Sequence, residues 1–151
     1  MMQARRLVDL IEKHADELTA RLVAQLKENR QTAGYRRLDD LEIGRRARAI
    51  YEHLGTWLRS SSELQVEDAF FDLGRDRCRE GIPLADVVAG QLLTRANLWE
   101  YVDSQMGDSA ADLRGELDLQ ILVVRFFDRT ILHTVRGYEA AMKEEAQAAR
   151  R

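Results

Sequence analysis

Apolar residues recur at intervals of three and four along nearly the whole chain, and Pro83 is its only proline. This spacing places apolar side chains on one face of an α-helix, whereas a half-buried strand needs alternation at every second residue. The 151 residues contain no alternation of useful length. The sequence therefore predicts an all-α bundle of about five helices, over residues 3–29, 39 or 40 to about 59, 63–80, 83–105 and from 110 into the C-terminal tail.

Polar and glycine-containing stretches mark the ends of these helices. The segment RQTAGYRR at 30–37 predicts a loop, and Gly107-Asp108-Ser109 predicts a turn. Asp39 followed by Glu42, and Ser62 followed by Gln65, have the spacing of a helix N-terminal capping box.

The segment Gly81-Ile82-Pro83 predicts a sharp corner between the third and fourth helices. Glycine is the usual residue just after a helix, and proline is favoured in a first helical turn. We therefore expect one helix to stop at Gly81 and the next to start at Pro83.

Each predicted helix carries an apolar stripe that indicates its buried face. On the fourth helix we expect this face to include Leu92, Arg95 and Trp99, and on the fifth, eight of the eleven residues 117–127 are strongly apolar. A helix that is apolar nearly all round is usually buried on several sides, so we expect the fifth helix to be central. The remaining stripes are Leu7, Ile11, His14, Leu18 and Leu22 on the first helix, Ile43, Ala47, Ile50, Leu54 and Trp57 on the second, Val66, Phe70, Leu73 and Arg77 on the third, and Leu84, Val88 and Val102 with those named on the fourth.

Length and composition predict a single domain over residues 1–151, with 139–151 as an exposed helical tail. The 23 basic and 26 acidic residues give a net charge of −3, which does not favour nucleic-acid binding. One cysteine cannot form an internal disulfide, and charges interrupt every apolar run, so the chain has no signal peptide or membrane anchor pattern. We expect a cytoplasmic protein that does not bind membranes.

The residues with chemical potential form no catalytic or metal-binding pattern, so the sequence predicts no enzyme activity and no metal or cofactor. None of His14, His53 and His133 follows a glutamate at the Glu-x-x-His spacing of di-iron bundles. Cys78 has no histidine near it in sequence and is more typical of a packing residue than of a nucleophile. His14 and His133 are interpreted as structural, although a lone histidine on a central helix could bind haem.

Arginines concentrate around the predicted corner at Arg75, Arg77 and Arg79, and Arg95 follows on the fourth helix. Arg77 and Arg95 fall on otherwise apolar stripes, where a guanidinium needs an anionic partner. We favour structural ion pairs between helices, and an anion or small-molecule pocket is the alternative. Candidate carboxylates are Asp72, Asp76, Glu80, Asp86, Glu100 and Asp128.

The segment LGRDRCREGIPLADVVAGQLLTRANLW resembles the N-terminal sensor domain of RsbT co-antagonist proteins, the RsbR type of the stressosome. In that family a helix ending in Leu-Gly-Arg-x-Arg is followed by a Gly-hydrophobic-Pro-Leu corner and a helix that carries an aromatic residue. The resemblance extends over about residues 5–140. Its matching positions here are Leu73, Gly74, Arg75, Arg77, Gly81, Ile82, Pro83, Leu84 and Trp99, with Tyr35, Leu38 and the helix at 50–58 upstream.

This resemblance implies a globin-like, haemless, homodimeric sensor or regulatory domain of bacterial stress signalling. The same segment is similar to the proximal region of haem globins, and Arg77 takes the place of the proximal histidine. Arginine stays protonated and offers iron no lone pair. The output module usual in the family does not follow in these 151 residues, so we expect the chain to work alone or to meet a signalling partner in trans.

A ligand pocket, if there is one, is expected between the second and fifth helices, and the signal would leave through the fifth helix and its tail. Two alternatives remain: a haem- or tetrapyrrole-binding globin that uses His133 or His53, and a purely structural interaction module whose tail helix docks on a partner. The expected pocket residues are Trp57, Phe70, Arg77, Arg95, Trp99 and Phe127.

Overall fold

A computed structural model describes residues 2–60, 62–105 and 110–150, and these residues are helical without a strand. The predicted turn at 107–109 lies outside them. None of the described helices is long and apolar enough to cross a membrane. The elements are α1 (Met2–Lys13), α2 (Ala15–Glu28), a 3₁₀ helix (Arg30–Tyr35), α3 (Asp40–Ser60), α4 (Glu63–Arg79), α5 (Leu84–Gln105) and α6 (Ala110–Ala149).

The all-α class is confirmed, but the count of about five helices is wrong because the first predicted helix is divided at His14. The backbone of His14 leaves the helical region, with φ −117° and ψ 22°. The break directs α1 against α3 and α6, whereas α2 packs against α3 and α5. Neither proline nor glycine occupies the break, so no local signal marks it.

The predicted loop at 30–37 contains a short 3₁₀ helix that packs into the bundle. Its Thr32 is buried, and the Thr32 hydroxyl donates a hydrogen bond of 2.8 Å to the carbonyl oxygen of Leu26. Tyr35 is buried against α5, where Gly90 leaves room for its ring. Thr32 and Tyr35 therefore belong to the core, while most other residues of the segment are exposed.

The corner between α4 and α5 has the predicted geometry. Gly81 has a φ of +76°, which is strained for any residue with a Cβ. The Ile82 amide donates to the Arg77 carbonyl at 3.1 Å, closing the end of α4 as in a Schellman motif. Helix α5 begins at Leu84, directly after Pro83. The corner fixes where α4 stops and returns the chain to the core.

The two predicted N-terminal caps had different outcomes. The Glu42 amide donates to Asp39 Oδ1 at 2.7 Å, which confirms the start of α3. Ser62 occupies the residue before α4, but its side chain makes no capping hydrogen bond. The Ser62 prediction is therefore wrong.

Helices α4 and α6 approach each other at two glycines. A Cβ at Gly74 would collide with the carbonyl oxygen of Thr134, and a Cβ at Gly137 would collide with that of Phe71. The clashing atoms belong to the backbone, so neither side of the contact can yield by rotating a side chain. The closeness of this crossing therefore depends on both glycines.

The predicted core faces are confirmed on α3 and α4, whereas on α5 the prediction is right at Val102 and wrong at Leu92. Ile43, Leu54 and Phe70 are fully buried as expected. On α5, Leu92 is 41% exposed, whereas Gln91, only 3% exposed, faces the core. The actual buried face of α5 consists of Val87, Gly90, Gln91, Thr94, Asn97, Leu98, Tyr101 and Val102.

Helix α6 is central in that it contacts α1, α3, α4 and α5, but the prediction that residues 117–127 are buried on several sides is wrong for the single chain. Val123 and Phe127 point into the core, while Leu117 and Ile121 are exposed. Beyond Ala141 the helix continues to Ala149 with its side chains exposed.

Candidate functional site

Helix α5 carries a row of buried polar residues, Gln91, Thr94 and Asn97, on the face turned to the core. Steps of three residues keep the three side chains on one side of the helix. Buried polar atoms cost free energy unless they form hydrogen bonds, so this row requires partners from neighbouring helices.

The Thr94 hydroxyl donates to the Gly90 carbonyl of α5 itself at 2.7 Å, and the partners of Gln91 and Asn97 come from α2, α3 and α6. Asn97 Nδ2 donates to the Leu18 carbonyl at 3.0 Å and to the Tyr51 hydroxyl at 2.9 Å. The Tyr51 hydroxyl donates to the Thr94 carbonyl at 3.2 Å, and Gln91 Nε2 donates to Thr134 Oγ1 at 2.7 Å. The row therefore joins four helices through hydrogen bonds of fixed direction, which constrains their relative positions.

The hydroxyl of Tyr51 lies at the middle of this network. Burial raises the pKa of Tyr51 to about 12, although the hydrogen bond from Asn97 acts in the opposite direction. The phenol is consequently neutral at any physiological pH, and it serves as a structural donor and acceptor.

A cavity of about 40 Å³ adjoins the polar row. Gln91 Oε1 is buried beside it without a hydrogen-bond partner among the described residues. Burial raises the pKa of Tyr35, whose ring borders the cavity. The lining residues are Leu22, Leu26, Tyr35, Ala47, Ile50, Leu73, Arg77, Gly90, Gln91 and Thr94.

Arg77 ends a chain of four alternating charges at the cavity. Arg77 pairs with Glu80, Glu80 pairs with Arg46 at 2.9 Å, and Arg46 pairs with Glu42 at 2.8 Å. The hydrogen bond from Arg46 lowers the pKa of Glu42. The partner of Arg77 is among the candidate carboxylates, but this pair lies within the end of α4, and it is the contact of Glu80 with Arg46 that reaches another helix, α3.

The predicted ion pair of Arg95 is not found. Arg95 is half-buried on α5 and makes no ion pair with any residue whose side chain the structure describes. Its position was inferred from the wrong face of α5. Arg75 and Arg79 both pair with Glu144 on the tail of α6, at 3.1 and 3.6 Å.

The six residues expected to form a pocket do not form one, although the rings of Trp57, Phe70 and Phe127 each lie within 6 Å of the Phe126 ring. Arg77 borders the cavity, while Phe70 and Phe127 are packed in the core. Trp57 lines a surface groove beside α6, and Trp99 is half-buried on α5. Gln91 and Tyr35 adjoin the cavity but were not expected there. Position 91 lies outside the apolar stripe predicted for this helix, so the spacing gave no signal for Gln91.

The histidines and the cysteine occupy structural positions. The His14 ring lies 5.3 Å from the Tyr101 ring and 3.7 Å from Glu17, as expected for an interface residue with a local partner. His133 is buried, and His53 is exposed with its ring against Phe70. Among the described residues, no three of His, Cys, Asp and Glu are grouped so that they could hold a metal ion.

Cys78 is buried, and burial raises the pKa of its thiol, an effect that Glu145 reinforces. The thiolate is the nucleophilic form of cysteine. These surroundings favour the packing interpretation of Cys78.

The N-terminal half of α6 exposes an apolar stripe on the side away from the core. Its members follow one another at steps of four, four, three and eight residues. At 3.6 residues per turn this spacing keeps them within an arc of about 100° around the helix axis. Exposed Asp128 lies between Val124 and Leu132, so the apolar part of this surface is most continuous from Leu113 to Val124. The stripe consists of Leu113 (52% exposed), Leu117 (60%), Ile121 (51%), Val124 (36%) and Leu132 (39%).

Comparison with known proteins gives one clear result. The sequence model of the RsbT co-antagonist protein RsbRD N-terminal domain matches residues 15–151. No curated protein and no solved structure matches the chain. The match starts at the first residue of α2 and covers the corner at Gly81, the polar row of α5 and all of α6. The chain therefore belongs to the family of RsbT co-antagonist RsbRD N-terminal domains, a family of regulatory sensor domains in signal transduction.

Proposed function

We propose that this chain is a non-enzymatic sensory or regulatory domain of bacterial stress signalling, with a globin-like helical arrangement, that acts in the cytoplasm as a homodimer. Family membership supports the regulatory role. The observation that carries the proposal of a dimer is the exposed apolar stripe of α6. A second copy of this chain is its occupant.

The surroundings of the stripe suit a second copy. Five apolar side chains extend over residues 113–132, about 30 Å of helix. Charged residues of both signs lie beside them, including Arg114, Asp118 and Arg125, and Asp128 lies within the stripe between Val124 and Leu132. In a two-fold interface the same surface patch of each copy faces that of the other. A patch with charges of both signs can therefore complement itself.

Helix α6 also provides a route from the dimer interface to an output partner. It continues without a break from the stripe to Ala149. Its C-terminal half is held against α4 at Gly74 and Gly137. A change in how two copies pair would therefore alter the direction of the exposed tail at 142–149, where a signalling protein in trans can contact it. Two helix arrangements of different free energy are the minimum for such a mechanism.

The mass of the protein in solution tests the dimer. Sedimentation velocity of the wild type should give twice the 17.4 kDa of one chain. Ile121→Asp places a carboxylate in the stripe and should give the mass of a single chain with unchanged helical circular dichroism. Leu41→Asp is the matched control, because Leu41 is 82% exposed on α3, outside the stripe, and it should remain dimeric.

A monomeric wild type contradicts the dimer. A dimeric Ile121→Asp shows that the stripe is not the interface, and a monomeric Leu41→Asp would place the interface on α3. Each outcome is read from the mass, and circular dichroism shows that the variant is folded.

A tetrapyrrole-binding function is the second candidate, and one observation favours it: His133 Nε2 is buried without a hydrogen-bond partner among the described residues. Haem titration should then produce a Soret band in the wild type that is lost in His133→Ala. A featureless titration removes this candidate.

A further inference from the structure

The cavity beside α5 contains a polar group that the chain itself does not satisfy. Gln91 is 97% buried, since only 3% of its surface is exposed. Its Nε2 donates to Thr134 Oγ1, and its Oε1 has no partner among the described residues. Turning the amide by 180° would let the Thr134 hydroxyl donate to Oε1, leaving the NH₂ without an acceptor. In either orientation one end of the amide is available.

Two other residues with polar side chains, Arg77 and Tyr35, also line the cavity. Arg77 offers guanidinium N–H donors, and the Tyr35 hydroxyl can donate or accept. Leu22, Ala47 and other apolar side chains form the remaining walls. This lining fits a molecule with one donor, one acceptor and an apolar edge.

Charge decides what kind of molecule the cavity can take. The ion pairs Glu42–Arg46 and Glu80–Arg77, joined by the contact between Arg46 and Glu80, contain two positive and two negative groups. The charge on Arg77 is thus already balanced. An ion of either sign would bring unpaired charge into a partly buried site, so an uncharged ligand is favoured.

Size decides how large this molecule can be. A buried water occupies about 10–15 Å³ of the volume open to a water-sized sphere. The cavity offers about 40 Å³. We propose that this cavity is a binding site for a small uncharged molecule, a short amide or alcohol of about three non-hydrogen atoms, held at the Gln91 amide. A ligand of this size can reach at best a Kd of about 0.5 mM.

Nuclear magnetic resonance of the full chain tests the site with formamide as the probe. Titration to about 100 mM should shift the signals of the Gln91 side-chain amide and the Tyr35 ring along a saturating curve. Formate has the same number of non-hydrogen atoms but carries a charge, and it should give no saturating shift at these residues. Linear shifts with formamide, or shifts spread over the whole surface, contradict the site.

Two variants separate the cavity from unspecific effects. Ala47→Val adds two methyl groups to a cavity wall and should abolish the saturating shift. Gln91→Met keeps a similar volume without the amide and should weaken formamide binding at least tenfold, read at the Tyr35 ring. If Ala47→Val does not fold, Gln91→Met decides alone, and unchanged binding by Gln91→Met overturns the proposal.

Trapped water is the competing occupant. A cross-relaxation signal between water and the Gln91 amide that formamide does not reduce would show that the cavity holds water only, and the proposal would be wrong. The ligand proposal rests on the sensory role, yet the two tests are independent. Occupancy is read at Gln91 and Tyr35, whereas dimerisation is read from mass, so either proposal can fail alone.

Discussion

The two halves of α6 differ in how much of their surface the rest of the chain covers. Near Gly137 the helix lies in backbone contact with α4, and Tyr138 donates a hydrogen bond of 2.8 Å to the Ile82 carbonyl at the corner. Around Ile121, one face packs in the core while the other is exposed. One helix thus combines a half whose position the fold determines with a half that has surface left for a partner. Substitutions near Gly137, in the C-terminal half, should change stability. Substitutions on the outer face near Ile121, in the N-terminal half, should change association.

The largest expected effect is at the glycine crossing. Gly137→Ala should lower the free energy of unfolding by about 3 kcal/mol or more, because the new Cβ would collide with the Phe71 backbone. Gly55→Ala is the control, since at Gly55 the nearest atom to a new Cβ is Arg59 Nη1 at 3.9 Å. That variant should gain about 0.5–1 kcal/mol from helix propensity. Urea unfolding measures both, and equal effects of the two variants would show that the crossing is not closely packed.

The next effect contrasts neighbours in the other half of α6. Val123 is 2% exposed and Val124 is 36% exposed. Val123→Ala should cost about 2 kcal/mol, because it leaves a space in the core. Val124→Ala should change stability by less than about 0.5 kcal/mol. Both are measured by urea unfolding in the Ile121→Asp background, so that association does not contribute. Similar costs at the two positions would contradict the assignment of inner and outer faces.

A smaller effect concerns Tyr138 and depends on pH. Tyr138→Phe removes the hydrogen bond to Ile82 and should cost about 1 kcal/mol at pH 7. Burial raises the pKa of Tyr138, so the folded state favours the neutral phenol. This stabilisation is complete below the unfolded pKa of about 10 and is lost as pH rises through the higher folded pKa. Between pH 8 and 11, the thermal unfolding temperature should therefore fall more steeply for the wild type than for Tyr138→Phe. Parallel curves would contradict a buried phenol.

The smallest effect is expected on the tail. Glu144→Gln removes the pairs with Arg75 and Arg79, which are partly exposed to solvent. The global free energy of unfolding should change by less than about 1 kcal/mol. Amide hydrogen exchange in 142–149 should nonetheless become faster than in Glu139→Gln, a control at an exposed residue. Equal exchange rates would show that the ion pairs do not order the tail.

Sequence patterns predicted the parts of the fold that depend on local rules. The corner at Gly81 follows from the backbone freedom of glycine and the fixed φ of proline. The start of α3 follows from the Asp39 side chain, and the buried faces of α3 and α4 follow from their apolar spacing. Each of these features needs information from only one or two turns of chain.

The errors concern features that need a partner distant in sequence. Gln91 and Asn97 look like surface residues in the pattern of α5, because their hydrogen-bond partners lie on α2, α3 and α6. The wrong assignment of the buried face of α5 also led to the expectation that Arg95 forms an ion pair. The break at His14 has no proline or glycine to signal it. Of the six expected pocket residues, Arg77 borders the cavity. The apolar stripe of α4, on which Arg77 lies, was assigned correctly.

If α6 tilted as a rigid rod about the glycine crossing, the crossing would be a pivot between two arms of unequal length. The point of support is near Gly137, and Leu113 lies 24 residues away, about 36 Å along the axis. A tilt of about 5° at the support would move that distant end by about 3 Å, which is comparable to the radius of a side chain. On the other side of the support, Ala149 is only 12 residues away, about 18 Å, and it would move half as far in the opposite direction. In the proposed dimer, this asymmetry of the two arms would convert a coarse rearrangement between the copies into a finer displacement at the tail.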